Sequence, residues 1–285
     1  MTDTPLTRRD FSHLGDPPPF PLDERRLVLV ASYPRSGSNW VGRVLEHVLL
    51  ERVGWSDPIA RGRRGVFHDL DRFVSEGRLG ELERWAGASA LVLKTHRTPE
   101  ALAAHAPGWL ERADQVVGVI RHPGAVMASV LRFLLWSGGI EHDGERVEDL
   151  GRAHQLGLVE PFVEAFLEHR GHAPFEAMGF GAGGEHAGAW DARLVPPTGR
   201  RLVYARLTRD PVRELAPLLG ALGLDHVDSS IERALRACSP QKIASQFGAG
   251  FVSTPLGRDD PLTHEQRARA ERCFEGEIAR YGLGG

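Results

Sequence analysis

Leu27-Val28-Leu29-Val30-Ala31-Ser32 is a continuous apolar run without alternation. Such a run predicts a strand buried on both faces, as in a parallel sheet. It breaks at Tyr33-Pro34-Arg35-Ser36-Gly37-Ser38-Asn39, and apolar positions then recur with helical spacing at Trp40, Val44, Leu45, Val48 and Leu49, predicting a helix to Leu50. The same strand, polar loop and helix return along the chain. Ala90–Leu93 ends at Lys94-Thr95-His96. Gln115–Ile120 ends at Arg121-His122-Pro123, with a helix on to Leu135. Arg201–Tyr204 is followed by Asp210-Pro211 and a helix to about Leu222, with Asp210 as N-cap and Pro211 in the first helical position. Alternating strands and helices predict a single α/β domain of three layers, a central mostly parallel sheet flanked by helices.

The first 25 residues (1–25) are polar and proline-rich, including Pro17-Pro18-Pro19, and read as a flexible arm before a domain spanning 26–285. Two segments interrupt the rhythm, near 55–73 and 137–189. The first carries Arg61, Arg63 and Arg64 among glycines and reads as a loop over the site. The second contains a predicted helix from about Val147 to His169, then the glycine-dense Gly179–Gly184, a composition suited to a lid. A last helix is predicted over Thr263–Tyr281.

Composition narrows the class. The chain is 41% hydrophobic and 26% charged, which fits a folded core rather than disorder. The formal net charge of −3 argues against a general nucleic-acid binder, so an anion site must be a local concentration of cations and backbone donors. Cys238 and Cys273, without CxxC spacing, do not make a disulfide framework. No stretch suits a signal peptide or a membrane span, so the expectation is a cytoplasmic protein without a membrane partner.

In parallel α/β sheets, ligands bind beyond the carboxyl ends of the strands. Arg35, Lys94, His96 and Arg121 all follow strand ends. The loop Tyr33–Trp40 leads into a helix N-terminus, whose backbone N–H groups and dipole suit a phosphate or sulfate. Ser36, Ser38 and Asn39 add donors, Gly37 permits close approach and Arg35 adds charge. An ordinary helix-capping turn is the plainer reading of the same residues. The loop is not a Walker A sequence, since GxxxxGK[ST] is absent.

Tyr33-Pro-Arg-Ser-Gly-Ser-Asn-Trp40 resembles the 5′-phosphosulfate loop of sulfotransferases that use 3′-phosphoadenosine 5′-phosphosulfate (PAPS), typically YPKSGTTW, with Arg35 in place of the commoner Lys. The resemblance implies the P-loop NTPase-like sulfotransferase fold. It also implies that Arg35, Ser36, Gly37, Ser38 and Asn39 hold the phosphosulfate, with Trp40 near the adenine. Lys94-Thr95-His96 resembles the family's KTH segment. His96 would then be the general base and Lys94 would neutralise the sulfuryl oxygens; taken alone, such a His is more often a satisfied loop or core residue. Arg121, Pro123 and Ser129 resemble the RxPxxxxxS element that holds the 3′-phosphate, the group distinguishing PAPS from ADP or ATP.

Fainter correspondences follow. Tyr204 matches the tyrosine of the family's YEDL segment, but Tyr204-Ala205-Arg206-Leu207 lacks its acidic residues. Ser239 matches a TSF-like adenosine contact. The late RKG motif is degenerate, with Arg258 or Lys242 as the nearest basic residues. Phe67, Phe73, Phe133, Trp136, Phe175, Phe180 and Trp190 are candidates for an apolar acceptor pocket, or for core. The histidines show no metal-ligand spacing, and no metal is implied.

The sequence thus predicts sulfuryl transfer from PAPS to a hydroxyl or amine of a small acceptor, natural products included, with adenosine 3′,5′-bisphosphate (PAP) as product. A catalytically silent PAP-binding protein is the alternative, and a P-loop-type small-molecule kinase a more distant one. Acceptor identity and oligomeric state are not legible.

Overall fold

The computed structural model describes residues 15–55, 64–224, 228–239, 241–243 and 260–284. The apolar runs form β1 (Leu27–Ala31), β3 (Leu91–Thr95), β4 (Gln115–Ile120) and β7 (Gly199–Val203). With β2 (Phe67–Asp69) they make one parallel sheet in the order β2-β3-β1-β4-β7. β1 and β3 are buried at every residue, which is why Leu27–Ala31 and Leu91–Leu93 run apolar without alternation.

Successive β1 residues serve opposite layers. Val28 and Val30 pack with Val44, Leu45 and Leu49 of α1 (Ser38–Arg52) and with Leu215 and Leu219 of a later helix, Pro211–Ala221. Leu27, Leu29 and Ala31 pack on the other face with Leu82, Trp85 and Leu102. The architecture is the three-layer α/β domain that the sequence predicts. A third apolar cluster lies beside the sheet, where α5 (Pro123–Ser137) meets Val159–Glu168 and the C-terminal helices through Met127, Leu131, Phe166 and Phe274. β1 lies between β3 and β4, so the chain crosses from one side of β1 to the other and leaves a crevice at the carboxyl ends of the three strands.

Several boundaries differ from the sequence reading. The described residues before 26 already pack on the body: Phe20 is buried, Trp85 Nε1 donates to Asp16 (2.8 Å), and the Ser89 hydroxyl donates to the Pro18 carbonyl (2.7 Å). The segment near 55–73 is more than a loop. It holds β2, whose start is pinned by the buried Glu46 accepting the Phe67 N–H at 3.0 Å, and α2 (Leu70–Ser75). The helix predicted over Val147–His169 is two, Leu150–Gln155 and Val159–Glu168, interrupted at Gly157 with φ +68°. Before them, β5 (Ile140–His142) and β6 (Glu145–Val147) form a hairpin whose turn residues, Asp143 and Gly144, both have positive φ. Gly183–Ala189 is helical despite its glycines. The last helix is also split, into His264–Cys273 and Glu275–Tyr281. Among the described residues no helix is long and apolar enough to cross a membrane.

Candidate active site

The loop leaving β1 turns sharply because two residues take left-handed backbone conformations, Arg35 (φ +71°) and Gly37 (φ +111°). Gly37 also touches a neighbour: a Cβ there would come within 2.5 Å of the Tyr204 ring. Both facts require glycine. Gly37 caps α1 without a side-chain acceptor, so the first-turn backbone donors at Ser38 and Asn39 open on the cleft that these residues line. We expect Gly37→Ala to push the loop and Tyr204 apart and to weaken PAP by about tenfold or more. Titration calorimetry checks this, and parental affinity in the variant would contradict the assignment of the loop.

Two half-buried guanidinium groups back the loop. Arg35 Nε donates to the Ser129 hydroxyl at 3.2 Å, and its guanidinium lies 4.9 Å from the Phe133 ring centroid. Arg121 Nη1 donates to the Arg35 carbonyl at 3.2 Å, with its guanidinium 4.6 Å from the Tyr204 centroid. Burial and the neighbouring Arg121 push Arg35 down to about 10, and burial also lowers Arg121. Both remain cations at neutral pH, held together against their repulsion in a setting that an anion relieves. The Trp40 ring meets Tyr204 edge-on at 6.3 Å, while its Nε1 donates to the Cys238 carbonyl at 3.2 Å. Tyr204 is the first residue of a helix, Tyr204–Arg209, rather than the last of a strand.

The end of β3 supplies the third group. His96 Nδ1 lies 2.7 Å from the Ser32 carbonyl. A carbonyl only accepts, so Nδ1 carries the proton and Nε2 keeps its lone pair. His96 lines the cleft, with the Phe180 ring 5.6 Å away. Burial, then the charge of Lys94, push the imidazole down to about 3, so the ring is neutral throughout the physiological range.

Lys94 is buried and its Nζ lies 2.7 Å from Asp69. The sheet register explains this pair, since Asp69 is the cross-strand partner of Lys94. Burial alone would raise the Asp69 carboxyl, but Lys94 and His96 outweigh it and hold it below the usual carboxylate range. Asp71, two residues on, accepts the His96 backbone N–H at 2.6 Å and the Thr95 hydroxyl at 2.7 Å. Burial and Asp69 push Asp71 up to about 6. Sequence reading missed both aspartates. The available signal was the Asp69-Leu70-Asp71 spacing beside a short Phe67-His68, which was read as loop.

Arg35, Gly37, Ser38, Asn39, Trp40, Lys94, His96, Arg121, Tyr204 and Ser239 line one open cleft of about 1500 Å³ bounded by the described residues. Ser129 joins it through Arg35, and Ser36 is buried behind the loop, lining a small cavity beside Tyr33. Arg258 lies outside the described residues. Of the aromatic candidates, Phe67, Phe133, Trp136, Phe175 and Phe180 line the cleft, whereas Phe73 and Trp190 belong to the core. Among the described residues no cluster of three or more His, Cys, Asp or Glu is placed to hold a metal ion.

No protein-family profile matches the chain. By sequence it is similar to human Sulfotransferase 1E1, 21% identical over 232 residues that cover 80% of this chain and 69% of that protein. Among solved structures it is similar to mouse sulfotransferase SULT7A1 complexed with PAP (TM-score 0.60, 17% identity, 91% of this chain and 86% of that one). It is similar also to retinol dehydratase complexed with androsterone and PAP (TM-score 0.55, 16% identity, 90% and 82%). The same enzyme in a complex with retinol and PAP matches with a TM-score of 0.55 and 18% identity, over 90% and 82% of the two chains.

Proposed function

From a chain that has the sulfotransferase fold and is related in sequence to a sulfotransferase, we propose an enzyme that transfers the sulfuryl group of PAPS to a hydroxyl, or an amine, of a small apolar acceptor. One observation carries this reading. Two half-buried cations, the open N-terminus of α1 and an unprotonated His96 Nε2 converge at the carboxyl ends of adjacent parallel strands, where the three motifs of the resemblance fall.

The residues divide the work. Arg35 and the first-turn N–H groups of α1 bear the charge that grows on the departing 5′-phosphate as its bond to sulfur breaks. Arg121 and Ser129 take the 3′-phosphate, and Trp40 and Tyr204 flank the adenine. His96 Nε2 accepts the acceptor's proton while the acceptor oxygen forms the new bond to sulfur. Burial is the larger cause of the depressed basicity of His96 and the charge of Lys94 the second; an anionic donor offsets the Lys94 share. Lys94 exchanges its Asp69 partner for the sulfuryl oxygens as charge develops there. Phe133, Trp136, Phe175 and Phe180 give the acceptor end an aromatic wall. This favours an apolar alcohol or phenol, in keeping with the retinol and androsterone bound by the structural relative. A cytoplasmic setting fits Cys238 and Cys273, which are free thiols.

A silent PAP-binding protein is the second reading, favoured by the hold of Asp69 on Lys94. Incubation with PAPS and a panel of apolar alcohols and phenols separates the two. Formation of sulfate ester in step with PAP supports the enzyme. PAP binding with no turnover of any acceptor supports the silent protein.

A further inference from the structure

Asp71 stands in the first turn of α2, two residues beyond the aspartate that holds Lys94. Its carboxylate closes on the end of β3 and the residue after it with both oxygens. Oδ1 accepts the Thr95 hydroxyl at 2.7 Å and Oδ2 accepts the His96 N–H at 2.6 Å, while Arg97 Nε stands 3.5 Å from Oδ1. The Thr95 oxygen in turn accepts the Arg97 N–H at 3.1 Å. Three successive residues therefore hang on one carboxylate, whose side chain is only 11% exposed. On its other side the His96 ring reaches the Ser32 carbonyl at the end of β1. The histidine is fixed at two points, its backbone from α2 and its ring from the loop that leads to the anion site.

We propose that Asp71 is a positioning residue for the sulfuryl-transfer base: by clamping the backbone at Thr95 and His96, it keeps the His96 ring on the Ser32 carbonyl and its bare Nε2 turned to the acceptor. The inference rests on the function proposed above and adds to it a residue that no motif marks. A buried carboxylate is costly to desolvate, and here two hydrogen-bond donors and the Arg97 guanidinium, all from one segment, offset that cost. An uncharged side chain of the same size cannot accept from both oxygens.

The electrostatic surroundings give the clamp a pH signature. Asp69, Lys94, His96 and Arg97 face Asp71, and burial and Asp69 hold its carboxyl up at about 6. Above that pH both oxygens accept. Below it one is protonated, and the clamp loosens.

The test uses the full chain bound to PAP and reads the His96 ring nitrogens by long-range proton–nitrogen NMR, with His96→Gln assigning the signal. The parent should show a single Nδ1–H tautomer. Asp71→Ala should drift toward the mixed tautomers of a free imidazole, with PAP affinity within about twofold of the parent's. Asp71→Asn, which keeps an acceptor for the His96 N–H, should lie between. A parental signal in Asp71→Ala overturns the proposal, as does a loss of PAP affinity that accompanies the drift, since that marks a merely structural role. Should Asp71→Ala fail to fold, pH decides. The parent's signal should change as pH falls through about 6 and that of Asp71→Asn should not; identical profiles overturn the proposal. A parent that binds no PAP removes the function on which the inference rests, whereas a PAP-binding parent with an unmoved Asp71→Ala signal removes the role of Asp71 alone.

Discussion

His96→Ala is expected to lower kcat by about 10²–10⁴-fold, the span of a lost general base, while PAP binds within about twofold of its parental affinity. The split follows from where the side chain stands. Its Nδ1–H is engaged by the Ser32 carbonyl, its Nε2 opens on the cleft, and its ring contacts Phe180 rather than the cationic loop. Removing it leaves the Arg35, Ser129 and Arg121 contacts intact. Good leaving-group chemistry does not replace the base, because the proton on the attacking oxygen must still go somewhere. Steady-state turnover with PAPS and calorimetry with PAP, run on the same variant, check both halves. Unchanged turnover removes His96 as base, and lost PAP affinity places it in nucleotide binding instead.

Arg121→Ala should cost PAP about 1.5–3 kcal/mol, the range for hydrogen bonds to charged groups, or roughly 10–150-fold in affinity. Adenosine 5′-monophosphate should lose no more than about threefold. The comparison matters because Arg121 has two structural contacts that any adenine nucleotide depends on, the Arg35 carbonyl and the Tyr204 ring. Losing those weakens both ligands alike. Only a direct contact with the 3′-phosphate makes the loss larger for PAP. Competition binding of the two nucleotides to parent and variant gives the answer, and equal losses would remove Arg121 from the 3′-phosphate.

The parts of this site that were legible in the sequence are those whose signal is local. β1, β3 and β4 are strands buried on both faces, so each carries an apolar run, and Lys94 and Arg121 follow directly from a run's end. β2 escaped because it has three residues, Phe67-His68-Asp69, all only half-buried, with no run to see. Its consequences escaped with it: the Lys94–Asp69 pair comes from strand register, and the Asp71 clamp joins residues 25 positions apart. The helix break at Gly157 was hidden because apolar spacing continues across it, while the backbone turns left-handed at one glycine. The docking of residues 15–25 depends on a slot for Phe20 that only the folded body provides. Tyr204 stands beside Trp40 and Arg121, and it opens a helix instead of closing a strand.

On the proposed reading, the cleft takes a nucleotide carrying a 3′-phosphate and a sulfuryl donor at its 5′ end. Titration calorimetry of the full chain with PAP, beside ADP and ATP, tests it most directly. Tight binding of PAP and weak binding of the other two are expected, because neither presents a 3′-phosphate to Arg121 and Ser129. Binding of ATP without binding of PAP would contradict it and transfer the site to phosphoryl chemistry.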